Sequence, residues 1–247
     1  MVYSMSLETI VFVIGTFIAA FVTGISGFAF GMVAAAIWLQ ALTPVQTTLM
    51  IVAYALLVQG YAVWKLRSSI VTARLWPFLV GSAVGIPLGL LALKWLSAAQ
   101  LKSATGILLI LFSTYNLLSP KMPSMAWAGR SGDGLVGVLN GGLGASTGLA
   151  GILVVIWSGM RGWSRDEQRA VFQPTAVVTF LMCLLAFGSA GVVSADSMWL
   201  FALGLPALVI GTLMGWAVYG KLSEAAFRKV VLWLLLFAGV TLAATSR

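Results

Sequence analysis

The sequence predicts an all-α polytopic membrane protein made of two inverted repeats, each a glycine-broken helical hairpin followed by three transmembrane helices. Three observations predict this fold class. Hydrophobic residues make up 61% of the 247 residues and charged residues only 8%, whereas soluble domains carry about 25% charged residues. Two glycine-rich interruptions fall inside apolar segments, one in each half of the chain. If each broken segment returns to the side of the membrane from which it entered, most basic residues lie on one side.

The first half, residues 1–118, contains a broken apolar segment and three spans. Glu8 to Leu42 is too long for one upright crossing of a roughly 30 Å core. We therefore expect two helical arms, at residues 9–23 and 28–41, joined by the glycine break. The spans that follow are expected at residues 46–64, 75–93 and 103–118.

The second half, residues 135–247, repeats this plan after a polar connection at residues 119–134. Its broken segment is expected at residues 135–160. We expect no continuous helix through Asn140–Gly151, because five of these twelve residues are glycine and each glycine weakens a helix by about 1 kcal/mol relative to alanine. The spans that follow are expected at residues 170–187, 197–219 and 227–244.

A second pair of similar segments favours internal duplication over chance. Gly85–Gly89 with the following Lys-Trp-Leu-Ser resembles Gly211–Gly215 with the following Gly-Lys-Leu-Ser. Small residues also recur in membrane helices because they allow close packing. The same order of both features in the two halves indicates a duplication.

The distribution of the basic residues distinguishes between two topologies. If each broken segment returns to the side it entered from, each half makes three net crossings and the halves are inverted. Eleven basic residues then share one side, and three lie on the other, namely Lys94, Lys102 and Arg247. If each broken segment crosses once, the division is eight to six. The positive-inside rule therefore favours hairpins, with both termini extracytoplasmic and residues 119–134 in the cytoplasm.

The composition argues against an enzyme, a metal site and a nucleic-acid partner. The chain has no histidine and one cysteine, so the usual general base and metal ligands are missing. The six acidic residues all fall at predicted helix edges or loops, which leaves no membrane carboxylate for catalysis or proton coupling. The net charge of +8 is spread over short connections, so we expect the lipid bilayer as partner. We expect no cofactor, and the sequence does not indicate an oligomeric state.

Two matching breaks, one in each half, indicate a transporter's binding site. Gly24, Gly27 and Gly31 have the same spacing as Gly141, Gly144 and Gly148. Unwound glycine backbone offers N–H groups, and the helix dipole of each following arm adds partial positive charge, which suits a small anion. The residues expected to bind substrate are Gly24, Ser26, Gly27, Gln46, Asn140, Gly141, Gly144, Ser146, Thr147 and Gln173.

Each of these residues also has an alternative role. The glycines either unwind the helix or allow close helix packing. The hydroxyls of Ser26, Ser146 and Thr147 either donate hydrogen bonds to an anion or bond back to their own helices. Asn140 either orients the break or contacts the ligand.

Two glutamines and two phenylalanines carry similar alternatives. Gln46 and Gln173 occupy comparable positions at the start of the span after each break, where they either flank the pocket or cap a helix end. Phe28 and Phe30 lie inside the first break, where their rings either gate the pocket or pack against neighbouring helices.

The two glycine frames, the proline-marked helix starts at Pro44 and Pro174, the eight or so spans and the tandem halves resemble the sulfite exporter TauE/SafE family over nearly the whole chain. The resemblance implies an exporter of small sulfur-containing or organic anions, such as sulfite and sulfonates, in the cell inner membrane. The alternative is a non-transporting membrane assembly subunit, in which the glycine breaks only pack helices. The lack of membrane acids favours transport that is passive or that uses the anion's own protonation.

Overall fold

Every regular element in the described part of the chain is helical. The computed structural model describes residues 6–26, 29–66, 72–118, 124–219 and 223–245. Within these ranges, a single 3-10 turn at Ala126–Ala128 accompanies ten α-helices. The helices are α1 (Leu7–Ser26), α2 (Phe30–Trp38), α3 (Pro44–Leu66), α4 (Thr72–Trp95), α5 (Ala98–Leu118), α6 (Gly129–Thr147), α7 (Ile152–Met160), α8 (Arg165–Ser189), α9 (Ala195–Val218) and α10 (Glu224–Thr245).

Six of these helices, α1, α4, α5, α8, α9 and α10, are long and apolar enough to cross a membrane. Several carry large apolar side chains on their outer faces. Leu111, Leu185 and Phe237 are 61%, 67% and 71% exposed. Such side chains are unfavourable against water and favourable against lipid tails. The chain is therefore a multi-pass helical membrane protein, as its composition predicts.

The predicted proline-marked start of a span at Pro174 is wrong, because α8 begins at Arg165. Ser164 and Glu167 form a capping box. Ser164 Oγ accepts from the Glu167 N–H at 3.3 Å, and the Ser164 N–H donates to Glu167 Oε2 at 2.9 Å. These bonds satisfy backbone donors at the helix start. Pro174 then lies inside α8, where a proline favours a kink.

The expectation of no continuous helix through Asn140–Gly151 is wrong for the first eight of these residues. α6 continues to Thr147, and the break is confined to residues 148–151. The same helix begins at Gly129, so the last part of the predicted polar connection is helical. The break is real, but it is shorter and lies later in the chain than the glycine content predicts.

Close packing against α4 explains why a glycine-rich segment forms α6. A Cβ at Gly137 would lie 2.5 Å from the carbonyl oxygen of Phe78, and a Cβ at Gly85 would overlap the carbonyl oxygen of Val138. Only glycine allows the two backbones to approach this closely. The dispersion energy of the contact offsets the low helix propensity of the glycines.

The chain divides into two compact units that do not coincide with its two sequence halves. One unit comprises residues 1–51, 96–120 and 193–247, and the other comprises residues 52–95 and 121–192. In the first unit the broken segment α1–α2 lies with α9, the second-to-last helix of the second half. In the second unit the broken segment α6–α7 lies with α4, the second-to-last helix of the first half.

Glycine contacts also hold the first unit together. A Cβ at Gly24 of α1 would lie 2.8 Å from the Cα of Gly215 in α9. Between α5 and α10 the contact is reciprocal. A Cβ at Gly106 would lie 2.7 Å from the carbonyl oxygen of Gly239, and a Cβ at Gly239 would lie 2.8 Å from that of Gly106. Both helix pairs therefore pack with their backbones in contact.

Candidate functional site

The second broken segment is a re-entrant hairpin. Gly148 ends α6 with φ 75° and Gly151 precedes α7 with φ 96°, both in the left-handed region that favours glycine. A Cβ at Gly132 would lie 2.7 Å from the indole of Trp157, so α7 runs back along α6. With nine residues, α7 is about 14 Å long, less than half of a roughly 30 Å hydrocarbon core. It is therefore too short to cross the core by itself.

The first broken segment has the same form. α2 also has nine residues, and it follows Ala29, whose φ of 81° is left-handed. Trp38 at the end of α2 donates its indole N–H to the carbonyl oxygen of Phe12 at 3.2 Å, so α2 runs back along α1. Gly27 and Phe28, which were expected to bind and to gate, lie outside the described residues.

The two breaks do not fall at the same place in the matched glycine frames. Gly31 is the second residue of α2, whereas its sequence counterpart Gly148 caps the end of α6. If the two breaks are aligned with each other, the matched glycines are therefore out of register by about one helical turn. Spacing alone does not identify the residue at which each helix ends.

Asn140 joins the second break to three helices. Its side chain is fully buried. Asn140 Oδ1 accepts from the Gly151 N–H at 2.6 Å, and its Nδ2 donates to Ser82 Oγ at 3.2 Å and to Thr179 Oγ1 at 3.3 Å. Thr179 in turn donates to Ser82 at 3.2 Å. Asn140 thus orients the break by fixing the residue from which α7 starts.

The three candidate hydroxyls each bond to their own helix. Ser26 Oγ donates to the carbonyl oxygen of Val22 at 2.8 Å. Ser146 Oγ donates to the carbonyl oxygen of Gly142, and Thr147 Oγ1 donates to that of Leu143, both at 2.8 Å. A hydroxyl has one proton to donate, so each would have to rotate before it could bind an anion. Their contact with substrate stays a prediction.

The three candidate glycines of known position face different surroundings. Gly24 and Gly141 lie against the backbones of α9 and α4, so these two glycines allow close helix packing. Gly144 lies in the last turn of α6, beside the break. A Cβ there would be 3.0 Å from the Cβ of Ala150 and 3.4 Å from Cγ2 of Thr179. Of these positions, Gly144 is the one where a larger side chain would enter the break.

The two glutamines are not placed alike. Gln46 caps the start of α3, where its Oε1 accepts from the backbone N–H of Thr43 at 3.2 Å and from the Thr43 hydroxyl at 3.0 Å. Gln173 lies in the middle of α8, and among the described residues no donor reaches its buried Oε1. Phe30 is 1% exposed and packs edge-on against Trp38, with ring centroids 6.0 Å apart. Gating by Phe30 stays a prediction.

Asp133 lies near the start of α6, at an edge as expected, but it is 5% exposed, so the expectation of no buried acidic residue is wrong. Asp133 Oδ1 accepts from the Trp157 indole N–H at 2.7 Å, and the Nε of Arg161 lies 3.4 Å from the same oxygen. The sequence held a signal for this burial. Asp133, Gly137, Asn140 and Gly144 recur at three- and four-residue spacing, which places them on one face of a helix.

A second ion pair lies at the same end of the second unit. Arg74 donates to Glu167 Oε1 at 2.8 Å, with both side chains about two-fifths exposed. The guanidinium carbons of Arg74 and Arg161 lie 5.4 and 5.7 Å from the ring centroid of Trp163. The indole face attracts both cations. This end of α4, α7 and α8 is therefore a charged cluster with one buried and one exposed pair.

Comparisons with known proteins support the resemblance in the sequence. A search of curated proteins and a search of solved structures each gave no significant match. The model of the sulfite exporter TauE/SafE family matches residues 11–242. That range contains both re-entrant hairpins and nearly all of the long apolar helices. The chain belongs to the sulfite exporter TauE/SafE family of membrane transporters.

Proposed function

We propose that this protein exports small sulfur-containing or organic oxyanions, of the sulfite and sulfonate class, and binds them at its two re-entrant breaks. The observation that carries the proposal is the pair of nine-residue returning arms, each of which follows a left-handed residue within an apolar segment. The first N–H groups of a helix have no partner within it. Such donors inside a membrane favour an anionic ligand.

The second break is the better defined of the two proposed binding positions. The first turn of α7 follows Gly151, whose own N–H is occupied by Asn140. The donors available to an anion are therefore the next N–H groups, together with the Ser146 and Thr147 hydroxyls if these rotate away from their own helix. A site without a fixed full charge binds weakly enough for release.

An inverted arrangement of the repeats is part of the proposal. Each broken segment packs against the second-to-last helix of the other half, and the last helices of the two halves, α5 and α10, meet through the reciprocal contact of Gly106 and Gly239. A pseudo-two-fold relation between the halves accounts for both features. We further propose that the protein lies in the cell inner membrane with both termini outside the cytoplasm. Reporter domains fused to the termini test this, and a cytoplasmic C-terminus would contradict it.

A packing-only role for the glycines is the second candidate. Gly24 and Gly141 contact neighbouring backbones directly, and the hydroxyls bond to their own helices. These contacts are what a non-transporting assembly subunit would also need. The position that separates the two functions is Gly144, because a side chain there would first meet Ala150 of the break.

Anion flux into proteoliposomes distinguishes the two functions. The purified protein is reconstituted and tested with sulfite, thiosulfate, methanesulfonate and small carboxylates. We expect flux of sulfite or a sulfonate, abolished in Gly144→Val and retained in Gly188→Val, where a Cβ meets nothing within 4 Å. Both variants are first checked for a monodisperse folded state. Absence of flux with every anion would refute transport, and full flux in folded Gly144→Val would refute the proposed site.

A further inference from the structure

Thr175 of α8 carries a buried hydroxyl without a hydrogen-bond partner. The residue is 0% exposed, and among the described residues no donor or acceptor meets its Oγ1. An unpaired buried hydroxyl is unfavourable. A bond to the carbonyl oxygen four residues earlier, at 2.7–2.9 Å, satisfies the hydroxyls of Thr16, Thr23 and Thr105. In the described part of the chain, the buried hydroxyls of Thr47, Ser113 and Thr212 are unpaired as well, so the surroundings of Thr175 decide its role.

Thr175 lies on the face of α8 that covers the second break. Val171, Thr175 and Thr179 recur every four residues and therefore share one face of the helix. Val171 belongs to the same buried apolar cluster as Val154, in the first turn of α7. Thr179 Cγ2 would lie 3.4 Å from a Cβ at Gly144, in the last turn of α6. The side chain of Thr175 is thus enclosed between the start of α7 and the end of α6.

The next residue of α8 lies against the start of α7. A Cβ at Gly151 would be 3.2 Å from the Cβ of Ala176, and α7 begins directly after Gly151. Val155 donates to the Gly151 carbonyl oxygen at 2.9 Å. The N–H groups of residues 152–154 precede that bond and have no acceptor within the helix. The Thr175 hydroxyl therefore lies near free backbone donors and the positive end of the α7 dipole.

We propose that the Thr175 hydroxyl binds the transported oxyanion directly at the second break. This inference rests on the proposed function. One oxygen of the anion accepts from the first N–H groups of α7, and a second oxygen accepts from Thr175. Thr175 can donate without first breaking a bond to its own helix, whereas Ser146 and Thr147 cannot. The ligand therefore carries at least two oxygens on one centre, as sulfite, sulfonates and carboxylates do.

Replacement of the hydroxyl by a methyl group tests the proposal. Thr175→Val keeps the branched shape of the side chain and removes its donor. We expect the transport KM for sulfite or methanesulfonate to rise at least about tenfold, as for the loss of a hydrogen bond to a charged group. The Tm should not fall, because the folded chain loses a hydroxyl that had no partner. Thr175→Ser restores the donor and should bring the KM back to within about threefold of the wild type.

A hydroxyl that only serves the fold would give the reverse pattern. Thr175→Val would then lower the Tm or fail to fold, or it would leave the KM unchanged, and each of these results would overturn the proposal. Thr105→Val is the matched control, because Thr105 is 3% exposed and its hydroxyl donates to Leu101 within α5. We expect its KM to stay within about twofold of the wild type, since its hydroxyl is already occupied. A tenfold rise in this control would remove Thr175 from its role.

A binding measurement separates this proposal from the proposed function. The Tm of each purified variant is compared with and without methanesulfonate at a concentration that saturates wild-type transport, since a ligand of the folded state raises the Tm. We expect a rise in the wild type and in Thr175→Ser, and a clearly smaller rise in Thr175→Val. Equal rises in the wild type and in Thr175→Val would overturn the role of Thr175. No rise in the wild type, or no flux with any anion, would instead refute the proposed function itself.

Discussion

Replacement of Asn140 by alanine is expected to lower the free energy of unfolding by about 2–4 kcal/mol. In Asn140→Ala the buried Gly151 N–H loses the acceptor that it meets at 2.6 Å, and an unsatisfied buried donor costs about 1–3 kcal/mol. The space left by the amide adds about 1 kcal/mol. Ser82 and Thr179 lose less, because they remain bonded to each other.

Thermal unfolding of the purified protein in detergent measures this loss. For a chain of this size, we expect the Tm to fall by roughly 4–16 °C. Asn116→Ala is the control, because Asn116 lies on α5 and its Oδ1 accepts from the exposed Arg228 at 2.6 Å. Its loss is expected to stay below about 1 kcal/mol. Equal losses in the two variants would mean that the amide of Asn140 does not hold the break.

A double variant separates the network from the individual side chains. Ser82 contacts both Asn140 and Thr179, so the effects of Ser82→Ala and Asn140→Ala should not add. We expect the double variant to lose less stability than the sum of the single variants, by about 0.5–1 kcal/mol or more. Strict additivity would contradict a shared hydrogen-bond network.

Three further substitutions test the packing, the hydroxyl and the strained backbone. Gly85→Ala pushes a methyl group against the Val138 carbonyl and should lower the free energy of unfolding by at least about 1–3 kcal/mol. Gly188→Ala adds its methyl group in open space and should not destabilise the protein. Similar Tm values for the two variants would refute close contact between α4 and α6. Ser146→Ala should change stability by less than about 0.5 kcal/mol, and a tenfold rise in transport KM at unchanged stability would show that the hydroxyl contacts substrate. Ala29→Gly should raise stability by about 0.5–1 kcal/mol by relieving a left-handed alanine; a lower Tm would contradict that conformation.

The helical membrane-protein class and the approximate positions of the spans follow from composition and local pattern. Long apolar runs need a bilayer and helices, and charge asymmetry already favoured hairpins over single crossings. The nine-residue helices α2 and α7, which run back along α1 and α6, agree with the predicted hairpins. These features could be predicted because each depends on a short stretch of chain.

The features that sequence reasoning missed depend on distant residues or on a local signal that was passed over. α6 is helical through its glycines because α4, about 50 residues earlier, packs against them. Asp133 is buried because Trp157 and Arg161 return beside it on α7. The start of α8 was available locally, since Ser164 and Glu167 have the spacing of a capping box. The helix start was instead predicted near Pro174, which lies later in α8.

Each of the two units is built from segments of both halves of the sequence, which affects the order in which the protein can assemble. Gly24 of the first hairpin packs on Gly215, so its partner helix is synthesised roughly 190 residues later. At about 5–20 residues per second, the ribosome needs on the order of 10–40 s to make that stretch. Until then, the glycine face of α1 lacks the helix against which it packs in the folded protein. The second unit is complete once residue 192 has been made, whereas the first unit, which contains the first hairpin, also needs residues 193–247.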